Sequence, residues 1–475
     1  MKSITTIKFW FSIAVLISVC GLSGFGQSEG STNAPVSGPK PLLQDITVFK
    51  QPAAPALSST PLITKTGSVT PGGSANLNKI NTSIPVLAEA EIPGHSGVLV
   101  ETVDGKVVVE SNSNFVYNPA SNVKIATAYA VLKTFGPDYR FPTNVWTDGS
   151  YEQETGTIHG NIYISGRDPM FGYEHAVTVA AELNRMGIRA VTGDLVVTDN
   201  FAMNYSTSPV RSSQSLFDSI DASKRSSAAT RVWSNYLLYS GKLNKTTVVP
   251  SVTFAGGIYV QPMPGNLKLL FSHESAPMRE IVKSTMCYSN NFLSERLGDM
   301  LGGPYAVARI VQQNTGVGPM EFTIQTSSGL GINRVTPKAM MKLLRTLRHE
   351  LARYKMTFAD IMPVAGVDKG TLENRFDTDF SMGSVVGKTG TLGQTDGGVS
   401  ALAGEINTRG GKLLFVIFNQ RGSVARFRNF QNYYISLIQG QFGGATPMIY
   451  SPVSLDVRLA KTRITYPNSR PARSE

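Results

Sequence analysis

The sequence predicts an α+β fold: one antiparallel sheet with helices on both faces, interrupted by an inserted α/β subdomain. Three observations carry this. The stretch "SGVLVETVDGKVVVES" (96–111) sets two β-branched runs across an Asp-Gly turn, a strong hairpin signal. The chain also ends strand-rich, in "SVVGKTGTL", "GVSALAGEI" and "KLLFVIFNQ" (384–419). Between these, from Phe141 to about residue 270, the texture shifts to short strands and turns with one amphipathic helix, "GYEHAVTVAAELNRMG" (172–187). Joining hairpin and final strands in one sheet makes the middle an insertion.

Along the chain, "MKSITTIKFWFSIAVLISVCGLSGFG" has basic residues, an apolar run from Phe9 to Val19, and small residues at its end. That is the three-part pattern of a secretory signal over 1–26, and its apolar run is shorter than the ~18 residues of a membrane span. Residues 27–90 are rich in Ser, Thr, Pro, Gly and Ala, so a flexible leader is expected. The main domain then covers 91–140 and 271–445, with the insertion at 141–270. Its helices are expected in "NPASNVKIATAYAVLKTF" (118–135), "PMREIVKSTMCYSNNFLSERLGDML" (277–301), "TPKAMMKLLRTLRHELARY" (336–354) and Val424–Ile438. Residues 446–475 form a basic tail.

The chain has 475 residues, 41% of them apolar, enough for a large core. Its net charge of +11 becomes +9 once Lys2 and Lys8 leave with the signal. The densest basic region is "DVRLAKTRITYPNSRPARSE" (456–475), with five basic residues against two acidic. No basic–aromatic module accompanies it, so no nucleic-acid role is expected. A solvated tail is the plain reading, and weak attraction to an anionic membrane surface the alternative. The location expected is periplasmic or cell-envelope associated. Cleavage beyond Cys20 would leave Cys287 alone, with no intramolecular disulfide. The five histidines, His95, His159, His175, His273 and His349, show no ligand-like spacing, and no metal or cofactor is implied.

Three short patterns carry chemistry: Ser-x-x-Lys at Ser121–Lys124, Ser-x-Asn at Ser289–Asn291 and Lys-Thr-Gly at Lys388–Gly390. Singly they mean little, since "SGPK" (37–40), "SAN" (74–76) and "KTG" (65–67) repeat them in the leader. The later set is ordered and sits at a helix start, a helix-adjacent loop and a strand. Serine is a poor nucleophile until a base takes its proton. Lys124 can be that base only when neutral, against a reference pKa of about 10.4. Reaching about 7 takes about 4 kcal/mol, which burial among apolar neighbours and a second cation, Lys388, can supply. The backbone N–H groups of Ser121 and Thr391 are the natural oxyanion donors. Lys388 and Thr389 offer a cation and a hydroxyl to a substrate carboxylate, and Gly387 and Gly390 are expected to let a substrate backbone lie close. Ser289 and Asn291 would close the other side. The plain alternatives are an N-cap at Ser121, a snorkelling Lys124, a helix cap at Ser289 and an ordinary strand lysine at Lys388.

Together with "GNIYISGRDPMF", "MGIRAVTGDLVVTDNF", "SGLGINRVTP", "PVAGVDKGTLENRF" and "GKTGTLGQTDGGVSALAGEI", these motifs resemble the low-molecular-mass class C penicillin-binding proteins. Those are D-alanyl-D-alanine carboxypeptidase/endopeptidases that trim peptidoglycan, and the resemblance runs from about Gly97 to Ile438. It implies a penicillin-binding, transpeptidase-like fold with its insertion between the first two motifs. It also implies peptidoglycan stem peptides as substrate and β-lactams as acylating inhibitors. By the same resemblance Ser121 is the acylated nucleophile and Lys124 its base, with Ser289, Asn291, Lys388, Thr389 and Gly390 completing the site. Asp168 of "GRDP" becomes a substrate contact, its alternative being a turn aspartate before Pro169. One departure is "IQTS" before "SGLGINRVTP", where the family usually has an aspartate, which bears on substrate preference.

Two other functions compete: a serine β-lactamase, and a non-catalytic wall-binding protein on the same fold. The first needs a deacylating glutamate. Only "ELN" at Glu182–Asn184 is comparable, with the wrong spacing. The one Gly-x-Ser-x-Gly, "GQSEG" (26–30), lies at the signal boundary without a strand or helix to support a nucleophile elbow.

Overall fold

The computed structural model describes residues 78–243 and 248–467. The export segment 1–26, with Cys20, the leader up to residue 77 and the end of the tail from 468 lie outside the described residues.

The two ends of the main domain share one five-stranded sheet. Its strands are β1 (His95–Thr102), β2 (Val107–Ser111), β3 (Val385–Leu392), β4 (Val399–Thr408) and β5 (Gly411–Gln420). They lie in the order β3-β4-β5-β1-β2, every neighbour antiparallel. β3 is therefore an edge strand, covered at its Val385–Gly387 end by residues 363–365 and open from Lys388 onward. The expected Asp-Gly turn closes β1 onto β2, with Gly105 at φ +100°, a conformation that favours glycine.

β5 reads as an unbroken apolar run because both its faces are covered. Leu413, Phe415 and Ile417 point to one face, where they meet Phe430, Tyr434, Ile435 and Ile438 of helix Val424–Gln441. Leu414, Val416 and Phe418 point to the other, against a larger helical core. Each such buried side chain stabilises the fold by about 1.5–3 kcal/mol. On that second face lie α1 (Val123–Phe135), α2 (Met278–Tyr288), α3 (Asn291–Asp299) and α4 (Pro337–Arg353); Val424–Gln441 is α5. Most of α1 is buried, so its apolar residues run all round the helix rather than along one stripe.

The insertion builds a second, six-stranded sheet, which runs four residues past 270 and is completed by a strand from the tail. Its order is Ile258–Val260, Leu195–Val197, Ile162–Gly166, Pro142–Thr147, Lys268–Glu274 and Arg463–Thr465. Besides the expected helix, found at Tyr173–Arg185, it holds Pro209–Ile220 and Ser227–Tyr239. Those two helices are serine-rich with narrow apolar stripes, which concealed them in the sequence. In its core the buried rings of His175 and His273 lie 4.8 Å apart, a pairing that their separation along the chain does not announce.

Two boundaries need correction. Residues 78–92 belong to the folded body rather than to a flexible leader. Asn81 bridges to Glu110 on the free edge of β2, and Leu87 is fully buried with its carbonyl accepting from Tyr434 Oη at 3.2 Å. The tail is likewise part of the fold as far as it is described. Arg463–Thr465 pairs with Lys268–Glu274, Arg458 and Lys461 bond to Glu280 at 2.9 and 3.1 Å, and Arg463 pairs with Glu274 at 2.6 Å. Three of its five basic residues are thus neutralised locally, which works against the membrane-surface reading as well as the solvated one.

Candidate active site

Ser121 lies in a short 3₁₀ turn, Ala120–Asn122, that leads into α1. Side chains three apart eclipse in such a turn, so Lys124 comes up beneath Ser121. The approach is held by Asn118, whose Oδ1 accepts from Ala120 N (3.1 Å) and whose Nδ2 donates to Asp396 Oδ2 (2.8 Å) and Gly331 O (2.9 Å). Asp396 is fixed in turn by Arg334 at 2.9 Å. Ala120 takes φ +45°, the left-handed region that an L side chain avoids, and this network over-determines it.

Lys124 is 1% exposed and donates to three oxygens: Ser121 Oγ (3.0 Å), Asn291 Oδ1 (2.7 Å) and Ser328 O (2.7 Å). Burial pulls its pKa down to about 7, against the opposing charge of Glu295. Two of the three partners are acceptors with no proton to give. When Lys124 is neutral its two N–H groups stay with Asn291 and Ser328, and the lone pair faces Ser121 Oγ. That asymmetry is the geometry a general base requires.

The helical stretch expected at 277–301 breaks at Ser289, which ends α2 at φ +54°, ψ +38°. The cap of α3 is Asn290, whose Oδ1 accepts from Leu293 N at 3.1 Å. Ser289 is thereby released from capping. Its hydroxyl accepts from Lys388 Nζ at 2.9 Å, and Lys388 also donates to Thr389 O at 2.7 Å. Lys388 is fully buried on β3, and its pKa lies well below the usual lysine range, through burial first and repulsion from Lys124 second.

The cleft beside Ser121 has a volume of about 600 Å³ and is lined by Ser289, Thr389 and Thr391 together with Arg375, Arg428 and Asn432. Arg428 Nη2 donates to Thr391 Oγ1 at 3.0 Å. Arg375 is held by Asn432 Oδ1 at 2.7 and 2.9 Å, and its pKa is lowered to about 10 by burial and then by the Arg428 charge. Among the described residues no carboxylate lines this cleft.

Ser121, Lys124, Ser289, Asn291, Lys388, Thr389, Gly390 and Thr391 therefore converge, and two expectations change. A Cβ on Gly390 would lie 2.6 Å from Pro119 O, and one on Gly387 2.6 Å from Ala403 O. These glycines make room for the loop before Ser121 and for β4, not for a substrate. Asp168 is not brought to the cleft. It is buried inside the insertion, its Oδ1 accepting from Met170 N at 2.9 Å, and burial raises its pKa to about 6. Glu182 also lies elsewhere, bonded to Arg185 at 2.8 Å and to Tyr466.

Residues that the sequence did not single out complete the site. Glu295, one turn beyond Asn291, accepts the N–H groups of Ser327 (3.0 Å) and Ser328 (2.9 Å) and so points Ser328 O at Lys124. Gly329, at φ +88°, packs where a Cβ would meet Ala120 O at 2.0 Å. Thr326, ahead of it in "IQTS", closes this loop by accepting from Gly329 N at 3.0 Å and donating to Leu330 O at 2.8 Å. The i, i+4 spacing of Asn291 and Glu295 was the available signal.

Comparison with known proteins gives a consistent picture. The model of the family described as "D-Ala-D-Ala carboxypeptidase 3 (S13) family" matches residues 74–213 and 219–435. A D-alanyl-D-alanine carboxypeptidase of Actinomadura sp. (strain R39) is 25% identical over 420 residues, covering 68% of this chain and 77% of the relative. The D-alanyl-D-alanine carboxypeptidase DacB of Haemophilus influenzae is 21% identical, covering 74% and 93%. Among solved structures, the predatory peptidoglycan endopeptidase Bd3459 of Bdellovibrio bacteriovorus superposes with a TM-score of 0.65 at 20% identity, covering 79% and 100%. Penicillin-binding protein 4 of Haemophilus influenzae superposes at 0.56 with 20% identity, covering 76% and 100%. At these identities the superpositions establish the shared fold.

Proposed function

This chain belongs to the D-Ala-D-Ala carboxypeptidase 3 (S13) family, and from that premise we propose that Ser121 is its acylated nucleophile and Lys124 its base. The protein is a serine-type D-Ala-D-Ala peptidase. The observation carrying the residue assignment is the 3.0 Å contact between Lys124 Nζ and Ser121 Oγ, with the lysine's other two donors committed to acceptors.

A stem peptide ending in D-Ala-D-Ala lies along edge strand β3 with its carboxylate toward Lys388 and Thr389. Arg375 and Arg428 make the cleft cationic, which favours a substrate rich in carboxylates. Ser121 Oγ attacks the penultimate carbonyl and Lys124 takes its proton. The N–H groups of Ser121 and Thr391 stabilise the oxyanion, a contribution typically worth about 3–4 kcal/mol per donor. As the C–N bond breaks, the proton passes from Lys124 to the departing amine. Water then hydrolyses the acyl-serine. When the departing amine belongs to a second stem, the same steps cut a cross-link. β-Lactams acylate Ser121 by the same attack, and among the described residues no carboxylate lines the cleft to activate a deacylating water. The N-terminal export pattern supports a site of action in the cell envelope.

The test is a fluorescent penicillin applied to wild type and Ser121→Ala, read on a denaturing gel and followed by digestion of purified muropeptides. A stable label on wild type alone, with loss of terminal D-Ala, is the expected result. A label on both proteins would displace Ser121. No label with rapid loss of free penicillin would return the β-lactamase reading.

A further inference from the structure

The catalytic cleft is bounded at Asn432, whose Oδ1 accepts from Arg375 and so ties the loop to α5. A second concavity, of about 770 Å³, begins at the same residue and runs on between loop 376–381 and one stripe of α5. The stripe is Arg428, Asn432, Ser436 and Gly440, spaced four apart on one helix face; its first two residues line the cleft and its last three the groove. Loop 376–381 forms the opposite wall and offers Phe380, whose ring is 87% exposed.

The groove has a direction relative to the chemistry. α5 runs antiparallel to β3: Arg428 reaches Thr391 (3.0 Å) at one end, and Gln439 Nε2 donates to Ser384 Oγ (2.8 Å) at the other. The groove therefore extends past the Val385 end of β3. Since the substrate carboxylate lies toward Lys388 and the oxyanion toward Thr391, that is the side of the departing group. From Asn432 to Gly440 the groove follows about 12 Å of helix. A single departing D-alanine needs little of it, whereas an extended stem segment of three residues spans about 10 Å. The rim carries both signs, Arg409 with Asp377 and Asp379, as suits a peptide bearing amine and carboxylate groups.

We propose that this groove is the acceptor-stem site: it holds the stem peptide on the leaving side of a cross-link while Ser121 is acylated by the donor stem. The inference rests on the acyl-serine reading above and names the substrate class that the extra length serves.

A Cβ on Gly440 meets nothing within 4 Å, so a large side chain there enters the groove without disturbing the core. Wild type, Gly440→Trp and Phe380→Ala are assayed on a purified cross-linked muropeptide dimer, on a monomeric pentapeptide and for penicillin acylation. Dimer kcat/KM falls about tenfold or more in Gly440→Trp and several-fold in Phe380→Ala, with the other two rates within about twofold of wild type. Unchanged dimer cleavage in both variants, or equal loss on dimer and monomer in Phe380→Ala, overturns the proposal. Should Gly440→Trp lose acylation through misfolding, Phe380→Ala decides alone, because its exposed ring supports no core. Wild type that takes penicillin and pentapeptide but leaves the dimer intact defeats the groove and spares the acyl-serine reading. Wild type inert to all three defeats that reading itself.

Discussion

Asn291 Oδ1 lies 2.7 Å from Lys124 Nζ, closer than Ser121 Oγ at 3.0 Å. The asparagine is thus the lysine's orienting partner, and its neutrality matters as much as its position. Asn291→Asp keeps the shape and adds a negative charge, which favours the ammonium form. The pKa of Lys124 then rises from about 7, less of it is neutral at pH 7, and penicillin acylation slows by about 10–100-fold. The acid limb of the acylation rate moves to higher pH, and a stopped-flow pH series on the variant measures that shift.

Glu295→Gln moves the same limb the other way. The Glu295 carboxylate raises the pKa of Lys124, in opposition to burial. Without its charge the lysine ionises less readily, and the limb falls to lower pH. The amide carbonyl can still accept from Ser327 or Ser328 but holds the pair less firmly, so the pH-independent rate drops by about tenfold. Opposite shifts in the two variants, measured in one pH series, separate control of the lysine's charge from a general loss of structure.

Wild-type acylation itself should fall about tenfold per pH unit below about 7, the lowered pKa of Lys124. The same group leaves a signature in stability. Between pH 7 and about 10 the unfolded chain keeps this proton and the folded chain does not, so the unfolded state binds more protons and stability rises with pH. From pH 7 to 9 the gain is about 2 kcal/mol. Below pH 7 it is absent, and the buried lysine is a burden. Lys124→Met lacks the slope, so denaturant titrations at pH 6 and pH 9 should show its stability relative to wild type falling as pH rises. A constant difference would mean that Lys124 titrates normally.

The sheet and the three motifs were legible because their signals are local. An Asp-Gly turn between β-branched runs, apolar runs at the chain's end, and Ser121 three residues before Lys124 each fit within one element. The rest of the site depends on contacts across long stretches of chain. Ser328 meets Lys124 from 204 residues away, through a backbone carbonyl that no residue type announces. Arg428 acts at Thr391 from 37 residues away and looks like any helix-surface arginine in sequence. Gly390 was legible as a place of close approach, but not what approaches it. Residues 78–92 lack periodicity because they are held by scattered anchors such as Leu87 and Asn81.

Arg458 puts the same lesson to a test at the chain's end. A basic tail reads as solvated, yet Arg458 is 9% exposed and bonds to Glu280, itself 3% exposed, at 2.9 Å. Glu280 lies in α2, the helix that ends at Ser289. Arg458→Ala leaves a buried carboxylate with two partly exposed cations still close, Lys461 at 3.1 Å and Arg279 at 3.7 Å. Breaking one side of a buried pair costs about 3–5 kcal/mol, and these two offset part of that. The expected loss is about 2–3 kcal/mol in urea unfolding. Arg458→Ala paired with Glu280→Gln should recover part of it, since the amide is cheaper to bury unpaired than the carboxylate. Penicillin acylation of the folded fraction should stay near wild type, because neither residue lines the cleft. A fully solvated tail would instead make Arg458→Ala neutral, within about 0.5 kcal/mol.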